Sequence, residues 1–218
     1  MNKDSSTGAP LTWILLRGLV REKGHWGPFL DRFQMTFAGD SILPLDLPGV
    51  GEFRDILSPR EMEKIFEFVR GQAIERAAAG SRFRLVAISM GAMVAMEWMR
   101  QRPAELESCV LMNTSLKSLS PFYLRLRWQI WQKFLKIIAI QIPREREKAI
   151  IELLMNSEEA RQKALPIWSK IATDRPVSYA NFLNQLFAAA RFHGLEQKPE
   201  IPVLLLSAMG DRFTDPSC

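Results

Sequence analysis

Cysteine and histidine are scarce in this chain of 218 residues, which contains two of each. The two cysteines, Cys109 and Cys218, are too few for a disulfide framework or a cysteine-based zinc site. Two histidines likewise argue against a metal site with several histidine ligands. We therefore expect no metal and no other cofactor. The first ten residues do not resemble a signal peptide, and together with the low cysteine content this favours a cytoplasmic protein.

Long runs of one residue class are also missing. The net charge is +5 and the isoelectric point is near 9.4, yet no run of five lysines or arginines occurs, which argues against a nucleic-acid partner. The most apolar stretch, residues 85–99, is interrupted by Glu97 and is too short to cross a bilayer, so we expect no membrane span. The length and the 47% hydrophobic content suit one folded domain, or one domain with an insertion.

Short apolar runs alternate with helical patterns in the first half of the chain. Buried strands are predicted at residues 13–16, 42–47, 84–88 and 109–112. Pro44 disfavours a central position in the sheet for the second strand. One intervening helix should begin at a capping box of Ser58 and Glu61, and another should span residues 91–102. This alternation predicts an α/β fold, with a mostly parallel sheet between layers of helices.

Only helical patterns occur between residues 121 and 194. Helices should begin near Pro143, Ser157 and Ser178, with a kink or an end near Pro166 and a C-terminal cap at Gly194. A last strand then follows at residues 203–206. We therefore predict a core formed by residues 1–120 and 195–218, and a helical lobe of residues 121–194 inserted before the last strand.

The strongest local signal is a serine between a buried strand and a buried helix. Ser89 is flanked by small residues two positions away on each side, Ala87 and Gly91. Such spacing allows a tight strand-to-helix turn that exposes the hydroxyl, as in a nucleophile elbow, although the usual pattern has glycine at the first small position. The alternative is a serine that only caps the helix.

Two further segments could complete a site for acyl transfer. An oxyanion hole requires two converging N–H groups, which here would come from Met90 and from Leu19 in the loop after the first strand, with Gly18 permitting a tight turn. Asp211, just after the last strand, would lie at the edge of the sheet where it could orient a histidine. The alternatives are an ordinary strand end for the first segment and a turn-capping aspartate for the second.

These segments, in this order, resemble the α/β-hydrolase family. The resemblance covers nearly the whole chain and rests on WILLRG, LDLPGVGEF, LVAISMGAMVA and IPVLLLSAMGDRFTDP. The chain is most similar to small, lid-bearing bacterial hydrolases that cleave esters, thioesters or related acyl bonds of small molecules. The resemblance implies that Ser89 is the nucleophile and Asp211 the triad acid. It also implies an oxyanion hole formed by Leu19 and Met90, and a lid formed by residues 121–194.

The chain departs from the family pattern at Arg17, because the family usually has histidine before the glycine of this loop. Arg17 could bind an acidic group of the substrate, or it could pair with a protein carboxylate or with backbone carbonyls.

A second departure concerns the catalytic histidine. The family places it after one more helix and strand, but no histidine follows Asp211. We expect His25, with Arg17 and Trp26, to lie at the pocket rim, and His193 to end a helix. The simplest interpretation is a truncated chain that lacks the triad histidine and the final helix and strand. The alternative to a serine hydrolase is a catalytically inactive binding protein with the same fold.

Overall fold

A computed structural model describes residues 10–125, 127 and 130–214. Its central sheet has five parallel strands in the order β2-β1-β3-β4-β5. The strands are Leu11–Leu16 (β1), Ser41–Leu45 (β2), Arg82–Ile88 (β3), Leu106–Met112 (β4) and Val203–Leu206 (β5). The predicted parallel sheet is thus confirmed. The strand that contains Pro44 lies at one edge, where a residue without an N–H donor is tolerated.

Helices cover both faces of the sheet because the side chains of its strands alternate between two apolar clusters. Ile14 and Leu16 of β1 belong to the larger cluster, which includes α2 (Met62–Arg76) and α3 (Met90–Gln101). Trp13 belongs to the smaller cluster on the opposite face, where α1 (Pro28–Thr36) packs. The continuous apolar sequence of β1 follows from this burial on both faces.

The chain between β4 and β5 is helical, as predicted. We call residues 122–191 the helical insertion. Its helices are Phe122–Arg125 (α4), Trp131–Ala139 (α5), Pro143–Leu154 (α6), Glu158–Asp174 (α7) and Tyr179–Arg191 (α8). The side chains of Ser157 and Ser178 cap α7 and α8 as expected. The sequence of this segment also predicts a helical apolar stripe formed by Leu124, Trp128, Trp131, Leu135 and Ile138, of which Trp128 lies outside the described residues.

Three predicted helix boundaries are wrong. Ser58 does not cap α2, which begins at Met62, because Asn181 and Asn184 of α8 bond the backbone of Ser58. Helix α7 passes through Pro166 and continues to Asp174, so of the predicted kink or end near Pro166, the end is wrong. Helix α8 ends at Arg191 with an extended Phe192, so Gly194 (φ +95°) lies beyond the helix end and does not cap it.

The last strand is the most exposed part of the sheet. Leu204, Leu205 and Leu206 of β5 are 53%, 70% and 45% exposed. Among the residues with described positions, no helix is long and apolar enough to span a membrane.

Candidate active site

Ser89 occupies the sharp turn between β3 and α3. Its backbone lies at φ +53° and ψ −117°, a conformation that non-glycine residues rarely adopt. The turn is held by a hydrogen bond from the Ser89 N–H to the Met112 carbonyl at 2.9 Å, and by one from the Thr114 hydroxyl to the Ser89 carbonyl at 3.1 Å. Backbone strain of this kind costs about 1–3 kcal/mol and is typical of functional sites.

Two glycines allow β1 and its following loop to approach this turn. A Cβ atom on Gly91 would lie 2.6 Å from the Arg17 carbonyl oxygen and 2.8 Å from that of Leu16. A Cβ atom on Gly18 would lie 3.0 Å from the Ser89 Cβ. The small residues noted in the sequence therefore bring the loop after β1 directly against the serine.

Ser89 lines a cavity of about 1270 Å³ between the carboxyl ends of the strands and the helical insertion. Leu19, Met90 and Asp211 line the same cavity. The structure therefore brings the predicted nucleophile, both predicted oxyanion residues and the predicted acid together around one space. Its opposite wall consists largely of apolar side chains from α6, α7 and α8, including Leu153, Trp168, Ile171, Phe182 and Leu186.

The loop after β1 forms a hydrogen-bonded turn. The Arg21 N–H donates to the Gly18 carbonyl at 3.1 Å, and Val20 has a φ of +52°. Gln185 of α8, which is fully buried, accepts the Val20 N–H at 2.9 Å and donates to the Pro48 carbonyl at 3.0 Å. Within the described chain, the N–H groups of Leu19 and Met90 make no hydrogen bond, so both remain available to a ligand.

Asp211 follows β5, and its carboxylate is engaged in a local turn. Its Oδ1 accepts the N–H groups of Phe213 at 2.7 Å and Thr214 at 3.1 Å, while Arg127 donates to its backbone carbonyl at 3.2 Å. Asp211 therefore has the turn-capping role considered above, in addition to its position on the cavity wall.

His25 is buried, and both of its ring nitrogens have local partners. Nε2 lies 3.1 Å from Arg21 Nη1, and Nδ1 lies 3.1 Å from the Glu22 backbone nitrogen and 3.2 Å from its carbonyl oxygen. Burial, reinforced by Arg21 and Arg17, lowers the pKa of His25 to about 2. His193 is exposed, 3.4 Å from Lys117 Nζ. Neither histidine forms a hydrogen bond with Ser89 within the residues described.

A cluster of charged residues surrounds His25 at one end of the cavity. Arg21 forms a buried ion pair with Glu147 of α6 at 2.8 Å. Arg175 binds both carboxylate oxygens of the buried Glu22, at 2.7 and 2.5 Å. Arg17 differs from these arginines, because it makes no hydrogen bond or ion pair within the described residues, and its Nε is buried without a partner.

Two aromatic rings lie close to the Arg17 guanidinium. Its central carbon lies 4.9 Å from the ring centre of Trp26 and 5.9 Å from that of Trp168. Trp26 is buried behind Arg17 and is not among the residues that line the cavity, whereas Arg17 and His25 are. The expected pairing of Arg17 with a protein carboxylate or backbone carbonyl is absent from the described chain.

Sequence reasoning missed the residues of the helical insertion that fix the loops of the site. Gln185 and Glu147 are the main examples, since each bonds a residue of the loop after β1. A signal for Gln185 is present in the sequence: Asn181, Asn184 and Gln185 are amides spaced to share one helix face. For Glu147 no comparable signal exists. In the described parts of the chain, no cluster of three or more histidine, cysteine or acidic side chains could hold a metal ion.

Comparisons with solved structures agree on the fold. A hydrolase from Pseudomonas aeruginosa PA01 superposes with a TM-score of 0.69 at 15% identity, covering 97% of this chain and 76% of that one. A membrane phospholipase A described as a bacterial virulence factor gives 0.67 at 21% identity, with 97% and 66% covered. An esterase from Rhodococcus sp. ECU1013 gives 0.70 at 16% identity, with 95% and 76% covered. At these identities the likeness establishes the fold.

Sequence comparison establishes the family. No curated protein gives a significant match. A family model described as "Serine aminopeptidase, S33" matches residues 60–218, well over half of the chain, including β3, Ser89, α3 and the helical insertion. With the parallel sheet and the strained serine at the β3–α3 turn, this match makes the chain a member of the serine aminopeptidase family of α/β-hydrolases.

Proposed function

We propose that the protein is a serine hydrolase that cleaves an ester, thioester or related acyl bond of a small molecule through Ser89. The observation that carries this proposal is the left-handed backbone of Ser89 at the end of β3, on the wall of a large cavity. The Ser89 side chain makes no capping hydrogen bond to α3, and Gly18 and Gly91 bring the loop after β1 against its turn. Helix capping therefore does not explain the strained backbone of Ser89.

The proposed reaction has two steps. The Ser89 oxygen attacks the acyl carbon, the carbonyl oxygen takes up the negative charge, and the N–H groups of Leu19 and Met90 stabilise it. The leaving group departs with a proton, which gives an acyl-enzyme. Water then attacks the acyl carbon, releases the acid and returns the proton to Ser89. One oxyanion donor contributes a factor of about 10²–10³ in turnover.

The proton of the Ser89 hydroxyl needs an acceptor. Asp211 is our candidate for the carboxylate that would orient a histidine. We assign no histidine to this role, because His25 is engaged by Arg21 and Glu22, and His193 lies outside the cavity lining. Losing the histidine of a serine triad lowers turnover by about 10⁶, so the 218-residue chain should be a slow catalyst unless a base is supplied.

We further propose that residues 121–194 act as a lid over the cavity. The side chains that α7 and α8 contribute to the cavity, such as Trp168 and Phe182, are mostly apolar and would exclude water from an acyl-enzyme. The insertion is also attached to the core by hydrogen bonds from the buried amides of α8, which are Asn181, Asn184 and Gln185.

A binding protein without catalysis is the second candidate. It is favoured by the local engagement of His25 by Arg21 and Glu22, since the base of a working triad must face the nucleophile.

An alkyl fluorophosphonate probe, applied with and without imidazole as an external base, separates the two candidates. We expect imidazole to accelerate labelling of the natural chain and of Ser115→Ala, a serine variant in the same cavity, but not of Ser89→Ala. Imidazole should likewise accelerate cleavage of p-nitrophenyl butyrate beyond its effect on Ser89→Ala. Equal labelling and equal cleavage in all three proteins would overturn the hydrolase proposal in favour of the binding protein.

A further inference from the structure

The charged cluster at the Arg17 end of the cavity has an unbalanced charge. It contains three arginines (Arg17, Arg21 and Arg175) and two glutamates (Glu22 and Glu147), while His25 is neutral. Both glutamates are already engaged, by Arg175 and Arg21. Arg17 is thus the arginine of this cluster that no carboxylate of the described chain pairs with.

The Arg17 guanidinium packs against aromatic rings, but its hydrogen-bond donors have no acceptor in the described chain. The rings of Trp26 and Trp168 lie beside its guanidinium. Such rings do not replace the oxygen acceptors that the N–H groups of a guanidinium need, and the buried Nε–H has no acceptor in the described chain. Burial lowers the pKa of Arg17 to about 10, so it is still charged at neutral pH. A buried, charged and unpaired donor is rare in folded proteins and calls for a partner.

Arg17 also lies beside the proposed nucleophile. It is joined to Gly18, which touches Ser89, and both Arg17 and Ser89 line the same cavity. A molecule that bonds Arg17 can therefore extend to the Ser89 hydroxyl without leaving the cavity.

We propose that Arg17 is a substrate-recognition residue that binds a carboxylate on the acyl substrate, so that the preferred substrates are monoesters or related acyl derivatives of dicarboxylic acids. This inference rests on the proposed function of Ser89. A carboxylate matches the single uncompensated charge, and its two oxygens fit the planar donors of a guanidinium. The contacts with the rings of Trp26 and Trp168 also favour a planar guanidinium over the ammonium of lysine.

Binding measured without catalysis tests the proposal. In the Ser89→Ala background, calorimetric titration compares the monomethyl esters of succinic, glutaric and adipic acids with analogues in which a neutral amide replaces the carboxylate. We expect the carboxylate to bind about tenfold to a hundredfold more tightly than the amide for at least one chain length, as for a hydrogen-bonded charge. Adding Arg17→Met should reduce this preference to about one.

Arg84 provides a matched control. Its guanidinium carbon lies 5.3 Å from the ring centre of Trp13, so it is also a tryptophan-stacked arginine, but it does not line the cavity. Arg84→Met should keep the full preference for the carboxylate. If Arg17→Met does not fold, as judged by circular dichroism, Arg17→Gln replaces it and should show the same loss.

An undiminished preference in the Arg17 variants, or no preference in any protein, would overturn the inference. These outcomes are separate from the fate of the hydrolase proposal. Labelling at Ser89 without a carboxylate preference would leave a hydrolase of neutral substrates. A preference without labelling would leave a carboxylate-binding protein.

Discussion

Gly91 is the residue at which helix α3 and strand β1 come closest. An alanine Cβ there would lie 2.6 and 2.8 Å from two backbone oxygens that cannot move independently of β1. We expect Gly91→Ala to lower the free energy of unfolding by about 1–3 kcal/mol, as overpacking does, and to reduce labelling at Ser89 by displacing the loop after β1. Urea denaturation and the fluorophosphonate probe measure the two effects.

Gly71 is the matched control, because it lies inside α2 and a Cβ atom added there would meet no neighbouring group of the described chain within 4 Å. Gly71→Ala should raise the free energy of unfolding by about 0.5–1 kcal/mol through helix propensity alone. Since both glycines lie in helices, the difference between the variants isolates the steric clash. Equal stability of the two variants would show that β1 can move away from the added Cβ atom at little cost in free energy.

His25 should make the protein less stable in acid. Its pKa is about 2 in the folded state and near 6.5 in an unfolded chain, so between these values the unfolded state binds one more proton. Stability then rises with pH, by up to about 1.4 kcal/mol per pH unit below 6.5. The charged groups around the ring are Arg17, Arg21 and Arg175. Arg21 is paired with Glu147, and Arg175 is paired with Glu22.

Urea denaturation of the natural protein and of His25→Gln at pH 7.5, 6.5, 5.5 and 4.5 measures this effect. Between pH 6.5 and 4.5, we expect the variant to lose about 2–3 kcal/mol less than the natural protein. All other titrating groups, including the buried Asp46, whose pKa burial raises, are common to both proteins. Parallel stability curves would mean that His25 is protonated in the folded state.

At the scale of elements, a row of buried amides attaches α8 to the core. Asn181 bonds the carbonyls of Gly49 and Arg54, and Gln185 links Val20 to Pro48. We expect Gln185→Met to leave one N–H and one carbonyl unsatisfied and to lower the free energy of unfolding by about 2–4 kcal/mol. Hydrogen exchange at the Val20 amide should accelerate more than at amides of β3.

Gln162→Met on the exposed side of α7 is the control, and surface changes of this kind alter stability by less than about 0.5 kcal/mol. If Val20 exchanges at the natural rate in Gln185→Met, then the turn Gly18–Arg21 is held by β1 and not by α8.

These amides also explain which elements the sequence could predict. The strands and most helices follow from apolar periodicity, which is local, and β1, β3 and β4 lie where their apolar runs predict them. The start of α2 does not follow, because Ser58 bonds two asparagines that are 123 and 126 residues away. Local capping chemistry predicted a helix start that long-range hydrogen bonds displaced.

At the scale of the whole molecule, the same distinction applies to the site. Ser89, Leu19, Met90 and Asp211 could be predicted to share one place because the carboxyl ends of parallel strands meet at one edge. The environment of Arg17 could not, since it depends on how α6 and α7 distribute Glu147 and Trp168 between neighbouring arginines. Charge pairing across the insertion is a tertiary property without a sequence pattern.

The exposed β5 strand should make the molecule self-associate. Its three leucines present apolar side chains on both faces of the sheet edge, and such edges pair with other chains. We expect sedimentation velocity to show association that increases with protein concentration, and Leu205→Lys to weaken it. Leu205 is 70% exposed, so the lysine can reach solvent without unfolding β5.

Met35→Lys on α1 is the control, because Met35 is 71% exposed and away from this edge. A monomer at all concentrations, or equal association in both lysine variants, would show that the β5 leucines do not mediate contacts between chains.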